Sequence, residues 1–344
     1  MIIQGWVKIR EKNGSFFMKI FRSVEHLGKV AFIDSDISYY AGGFMGILRV
    51  KETNSVLPKY LYEILNSDTY RNIVRRTGSG ANIKNLSSTI FEIKIPVPPP
   101  DAQARIVAEC QAIDAEVEQA EKEILDSQRI AREKVQACFS QGQVVTLSDL
   151  VFINRQSIDP TKFPDKDFIY VDISNVEKET GIIDYSQVIK GKNAPSRARR
   201  IAPKGSVIIS TVRPNLKGFA FVERDTQDCV FSTGFAVLES RDESVIKNKA
   251  LFYAFLYLDD LMDQMVKAMG KAAYPSINQS DIESLQIHVP DAQAQEELLK
   301  ELSSIESRLQ SARAVIASAP ARRRAVLEKY IFLENNLDVQ PMED

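Results

Sequence analysis

Two stretches of this chain are copies of one another. Residues 88–98 lie over residues 280–290 without a gap, sharing Ser88 with Ser280, Ile90 with Ile282, Ile95 with Ile287, and the Val-Pro pairs at 97–98 and 289–290. The same offset of 192 places Ala102-Gln103 on Ala294-Gln295 and Ile106 on Leu298. Upstream the offset is 191, where Gly14-Ser15 matches Gly205-Ser206, Arg22 matches Arg213 and Gly43-Phe44 matches Gly234-Phe235. A period this long excludes a stacked solenoid or propeller and predicts one domain plus helix, made twice.

Each copy reads as a β-rich segment followed by helix. In the second, Ser206–Val212, Phe219–Val222 and Val230–Val237 are β-branched and aromatic runs separated by Pro and Gly, which predicts strands and turns. Ala250–Leu258 follows as a buried helix, with Lys59–Leu65 in the matching place of the first copy. The fold class expected is α+β.

After each domain a Pro-containing break, at Pro96–Pro100 and at Pro290, gives way to a long helical stretch. Apolar positions keep a 3–4 spacing: Ile106, Cys110, Ile113, Val117, Ala120 and Ile124 in the first, and Leu298, Leu302, Ile305, Leu309, Ala312 and Ile316 in the second. Such a seam predicts helices packed side by side as a coiled coil. At about 1.5 Å per residue, a helix over 101–139 extends about 58 Å and serves as a spacer. The boundaries expected are 1–100 for the first domain, 101–140 for its helix, 141–290 for the second domain, 291–335 for its helix, and a disordered tail over 336–344. A helix lying across its own domain is the competing arrangement.

Composition excludes several classes of function. The three cysteines, Cys110, Cys138 and Cys229, are widely spaced and form no Cys-x-x-Cys pair, which suggests neither a disulfide framework nor a zinc site. Only His26 and His288 are available for a relay or a metal centre. There is no Gly-rich phosphate loop and no Asn/Asp-Pro-Pro-Tyr motif, and Glu92-Ile-Lys94 has Ser284 where a second copy of its carboxylate would stand. An enzyme is therefore not expected, nor any cofactor or metal held by this chain. Nowhere do eighteen apolar residues run together, so a cytoplasmic protein with no membrane contact is the expectation.

The net charge of −2 gives no global pull toward phosphate backbone. One local feature does. Between Asp184 and Glu223 there is no acid, while Lys190, Lys192, Arg197, Arg199, Arg200, Lys204, Arg213 and Lys217 all fall in that stretch. Charge runs are commonly solvated faces, but eight cations without an anion exceed what solubility needs.

A β-rich domain ending in apolar-Pro-x-x-x-Ala-Gln and running into a long helix, twice in one chain, resembles the specificity subunits of type I restriction-modification enzymes. The residues carrying the resemblance are Val97, Pro98, Ala102, Gln103 and Ile106, echoed by Val289, Pro290, Ala294, Gln295 and Leu298. The resemblance implies two target-recognition domains, each binding half of a split site in double-stranded DNA, and helices paired antiparallel as a ruler. It implies a catalytically silent chain. Methyltransferase subunits using S-adenosylmethionine, and a restriction and translocase subunit using ATP and Mg, would be its partners. Met1 aligns with about residue 192 of the second copy, so the front portion of the first domain, including a counterpart of Phe168–Ser174, is expected to be missing.

On that reading Lys190, Lys192, Arg197, Arg199 and Arg200 are expected on a DNA-facing loop, with Arg213 just after a strand and Lys217 beyond it. Arg22 is the copy of Arg213 in the first domain. The loop before the final strand adds Lys271, Tyr274, Ser276 and Asn278, and its counterpart in the first domain adds Arg75, Arg76, Asn82 and Lys84. Two other readings stay open: a recognition subunit of a type IIB-like restriction system, and a coiled-coil scaffold that binds only protein.

Overall fold

The repeat is visible in the backbone before any side chain is considered. The computed structural model describes residues 8–11, 15–19, 21–22, 28–33, 37–40, 45–50, 55–77, 84–85, 94–269 and 275–331. It divides into two units, residues 1–123 with 311–344, and residues 124–310.

The first unit holds β1 (Lys8–Glu11), β2 (Ser15–Lys19), β3 (Phe21–Arg22), β4 (Val30–Phe32), β5 (Ile37–Tyr40) and β6 (Met45–Arg49). These are followed by α1 (Pro58–Asn66), α2 (Asp68–Thr77), β7 (Lys84–Asn85) and the start of α3 (Pro100–Phe139). In the second unit α3 ends and β8 (Gln143–Thr146), α4 (Leu147–Leu150), β9 (Val151–Ile153), β10 (Asp167–Val171), β11 (Val188–Lys190) and β12 (Ala198–Arg200) follow. Next come β13 (Val207–Ser210), β14 (Phe219–Phe221), β15 (Cys229–Ser232), β16 (Phe235–Ser240), α5 (Asn248–Tyr257) and α6 (Asp259–Ala268). The chain closes with α7 (Gln279–Glu283), β17 (Gln286–Val289) and α8 (Ala292–Ile331), whose last part belongs to the first unit.

In unit 1, β2 lies antiparallel between β4 and β6; in unit 2, β13 lies antiparallel between β14 and β16. Phe21 pairs with Asn85 in the first, and Val212 bridges to Ser276 at the matching positions of the second. Both long helices start at equivalent residues, as the 192 offset predicts, and α8 continues through Pro320, where the ring removes one helical N–H. The tail expected over 336–344 lies outside the described residues, and among these no helix is long and apolar enough to cross a membrane.

The run Val230–Val237 departs from the expectation of one strand. It breaks at Thr233-Gly234, so that β15 joins the sheet β11-β10-β15-β12 and β16 joins β14-β13-β16-β9. At Gly234 a Cβ would meet the Cδ1 end of the Ile173 side chain at 2.7 Å, so a larger residue there would require that side chain to move.

The helical seams bury as their spacing predicts, and they serve two purposes. In unit 1, Ile106, Cys110 and Ile113 of α3 pack with Tyr60, Ile64 and Tyr70 of α1 and α2, and with Val326, Leu327 and Tyr330 of α8. In unit 2, Leu298, Leu302, Ile305 and Leu309 of α8 pack with Ala131, Val135 and Phe139 of α3 and with the domain core. A helix lying across its domain and a helix paired with another are thus the same arrangement. The pairing is antiparallel: Glu109 meets Lys329 at 2.9 Å and Glu116 meets Arg322 at 2.5 Å in unit 1, and Lys134 meets Glu301 at 2.9 Å in unit 2.

The duplicated glutamine holds each domain to its helix. Gln295 has no exposed surface; its Oε1 accepts from the Lys247 N–H at 2.9 Å, and its Nε2 donates to the carbonyls of Val245 and Pro290, both at 2.8 Å. Gln103, equally buried, accepts from the Leu57 N–H at 2.8 Å and donates to Ser55 and Pro98 at 2.8 and 2.7 Å. Only a carboxamide of this length offers one acceptor and two donors in that geometry. Gln295→Ala strands three backbone groups, and we expect it to cost about 3 kcal/mol or more in denaturant unfolding. A loss below about 1 kcal/mol would show that water replaces the carboxamide without penalty.

Candidate nucleic-acid interface

Two sheets of unit 2 meet at one edge, and backbone hydrogen bonds fix it. Thr211, just past β13, donates from both its N–H and its Oγ1 to the Gly234 carbonyl, at 2.8 and 2.9 Å. The Thr233 N–H donates to the Arg197 carbonyl at 2.8 Å, which ties the approach to β12 to the same crossing. The Ile277 N–H donates to Thr211 and the Arg213 N–H donates to Pro275, both at 2.9 Å, so the segment 275–279 lies along the end of β13. Asn154, past β9, donates to Gln279 Oε1 at 3.2 Å.

This edge gathers Arg197, Arg213, Ser276 and Asn278, all exposed and distant in sequence. Arg213 adopts a left-handed backbone, φ 47°, which turns the chain sharply as it leaves β13. Asn278 caps α7: its Oδ1 accepts from the Asp281 N–H at 3.0 Å while Asp281 accepts from the Asn278 N–H at 2.8 Å.

The other cations of the acid-free stretch are dispersed, and not on one loop as expected. Lys190 closes β11 and pairs with Asp167 at 2.8 Å, at the opposite end of its sheet from Arg197. Lys192 is exposed in a single 3-10 turn, Gly191–Asn193. Arg199 and Arg200 are strand residues of β12. Arg199 donates to the Ala198 carbonyl at 2.8 Å and stands 3.6 Å from Asp159. Arg200 is half-buried, with its Nε unpartnered, and burial pulls its guanidinium below the ordinary arginine range. Lys217 is turned inward: its Nζ donates to the Leu256 carbonyl at 2.8 Å near the end of α5, and burial lowers its amine below the usual lysine range. Residues far apart in sequence supplied the acids, which is why a one-dimensional charge count missed the pairings.

In unit 1, Arg22 and Lys84 are register partners of β3 and β7, the copy of the Arg213–Pro275 contact, and Arg75 and Arg76 lie in α2. Asn82, Lys271 and Tyr274 fall outside the described residues. Sequence reading passed over Asn154, Arg155 and Gln279; the signal was present, since Asn154 ends a β-branched run as a turn residue does.

Together these features define a duplicated α+β module built on paired helices. The chain belongs to the family described as the type I restriction modification DNA specificity domain, whose family model matches residues 10–126 and 140–317. It is 23% identical over 164 residues to the type I restriction enzyme HindI specificity subunit of Haemophilus influenzae, covering 47% of this chain and 31% of that protein. The chain therefore spans less than a third of that relative. It is 22% identical over 335 residues to a Methanocaldococcus jannaschii protein named as the MjaX specificity subunit, covering 87% of this chain and 73% of that one. The crystal structure of the type I restriction-modification S subunit from M. genitalium has the same fold, with TM-score 0.56 and 15% identity over 97% of this chain and 85% of that one.

The geometry separates inward-turned cations such as Lys217 from exposed ones such as Arg197. Replacing Lys217 with Met removes the donor to Leu256, and we expect a loss of about 1–2 kcal/mol in thermal unfolding with DNA retention unchanged. A variant that melts normally but releases DNA would return Lys217 to the interface.

Proposed function

We propose that this chain is the non-catalytic, sequence-reading subunit of a type I restriction-modification complex in the cytoplasm. Each module binds one half of a bipartite site in double-stranded DNA. The observation that carries the reading is the single edge of unit 2 where Arg197, Arg213, Ser276 and Asn278 stand together in solvent, on a module present twice. Guanidinium groups there suit phosphate oxygens, while hydroxyl and amide groups suit base edges.

The long helices support the remaining assignments. Each runs 40 residues, about 60 Å at the standard rise, which suits a fixed gap between half-sites. Outer surfaces of the helices would dock the methyltransferase subunits and, through them, the motor and nuclease subunit. S-adenosylmethionine, ATP and Mg would bind on those partners. Two matched half-sites multiply specificity only if both are engaged at once, each correct base pair being worth roughly 1–3 kcal/mol.

The test is selection from a randomised duplex pool by the chain with its methyltransferase partner. A two-part motif with one fixed gap is the expected outcome; a single half-site would leave one module silent, and no enrichment at any salt concentration would favour the protein-only scaffold. Arg197→Glu should then weaken retention of all sequences alike and lower the salt slope by about one unit, as loss of one phosphate contact does. Unchanged affinity would take Arg197 off the DNA.

A further inference from the structure

Arg155 carries an inference that rests on the DNA-reading proposal and deepens it. β9 is the edge strand of its sheet, and its core-facing residues are Val151 and Ile153. At Asn154 the backbone turns left-handed, φ 55°, an uncommon conformation for a residue other than glycine. Three hydrogen bonds hold it there. The Asn154 N–H donates to the Val237 carbonyl at 2.8 Å, its Oδ1 accepts from the Val237 N–H at 3.0 Å, and its Nδ2 donates to Gln279 at 3.2 Å. The side chain thus completes a ladder rung that the turned backbone cannot make, and the chain then passes from this sheet to β12, where Ser157 bridges to Arg200.

The residue following Asn154 is Arg155. Its guanidinium lies 4.3 Å from the centroid of the Phe152 ring, and half of the side chain is exposed. Arg241 also sits 4.3 Å from that ring, with its own Nε donating to the carbonyls of Ser148 and Val151 at 3.1 and 3.2 Å. Phe152 is therefore fixed, and an arginine stacked on a fixed ring is oriented before any ligand arrives. A planar guanidinium so held presents two parallel N–H groups, the fork that matches a pair of acceptors.

The local charge selects between two kinds of acceptor. Glu239 lies 4.0 Å from the Arg155 guanidinium, too long for a strong ion pair but close enough to offset its charge. A phosphate gains little from a cation already balanced by a carboxylate. The neutral O6 and N7 of guanine in the major groove lose less, and they accept from both arms of one arginine. We propose that Arg155 reads a guanine in the half-site bound by the second module, with Phe152 and Asn154 as positioning residues.

The experiment repeats the pool selection with Arg155→Lys and Arg155→Ala, each checked by melting temperature, in the complex with the methyltransferase partner. Both variants should keep the wild-type motif except at one G·C pair, where discrimination falls on the order of tenfold or more while the salt slope stays unchanged. Asn154→Gly, which keeps the left-handed turn but loses the amide, should relax the same pair to a lesser degree; a merely structural Asn154 would lower the melting temperature and leave the motif intact. A uniform loss over all sequences with a shallower salt slope would make Arg155 a phosphate contact and overturn the proposal, as would an unchanged motif. A wild-type chain that enriches no motif would sink the DNA-reading proposal itself, and that failure is recognised before any substitution is made.

Discussion

Gln295 and Gln103 set the relation between each domain and its long helix. The Pro-containing approach to each long helix exposes a backbone carbonyl, and the loops ahead of α1 and α5 expose both donors and acceptors; burying the two against each other costs free energy unless every group finds a partner. The carboxamide bridges them. It ties the loop at 245–247 to the Pro290 carbonyl in unit 2, and the loop at 55–57 to Pro98 in unit 1. The apolar seam then begins one turn later, at Ile106 and Leu298, where it can pack on the domain just fastened. The paired Ala-Gln motif is therefore a structural requirement that the domain-to-helix junction imposes twice.

The two copies diverge in a buried polar cluster beside the long helices. In unit 1, Glu63 is buried against Arg323, which also meets Asp114; in unit 2, Tyr253 stands at the place of Glu63 and donates to Glu306, the counterpart of Asp114, which Lys249 meets at 3.2 Å, while Ala131 stands at the place of Arg323. Burial pushes the Glu63 carboxyl above its ordinary range, and Arg323 opposes it. It also pushes the neighbouring Cys110 thiol up to about 12, which keeps it a packing group. Buried polar groups left unmatched are expensive, so exchanging the helices between the modules would oppose Glu63 with the wrong partners. Lys59 over Phe32 and Lys249 over Phe221 keep the same cation–π contact in both copies, which shows that the divergence is local.

Much of the architecture was legible because it rests on periodicity. The 192 offset and the 3–4 spacing of Ile106 to Ile124 depend only on one-dimensional order, and the helices pack on those residues. What escaped reading depends on contacts between distant residues. Nothing near Gly234 in sequence announces that Thr211 will hold its carbonyl with two hydrogen bonds where the chain passes into a second sheet. Likewise the stretch from Lys190 to Lys217 contains no acid, yet Asp167, Asp159 and the Leu256 carbonyl reach it from elsewhere. Composition along a window counts charges; only the fold decides which of them remain for a ligand.

On the proposed reading, that division is what would let a chain of net charge −2 hold DNA. Lysine and arginine that brace strands or cap helices contribute stability and little field, because each faces a carboxylate or carbonyl within about 4 Å. On that reading the long-range attraction to phosphate would fall to cations exposed where the two sheets meet, Arg197 and Arg213 among them. A small exposed set gives modest non-specific affinity and a shallow salt dependence, so discrimination has to come from groups fixed in orientation beforehand. On the proposed reading, rigidity at the edge, from the Thr211–Gly234 bonds to the Asn154 turn, would then matter more for recognition than total charge.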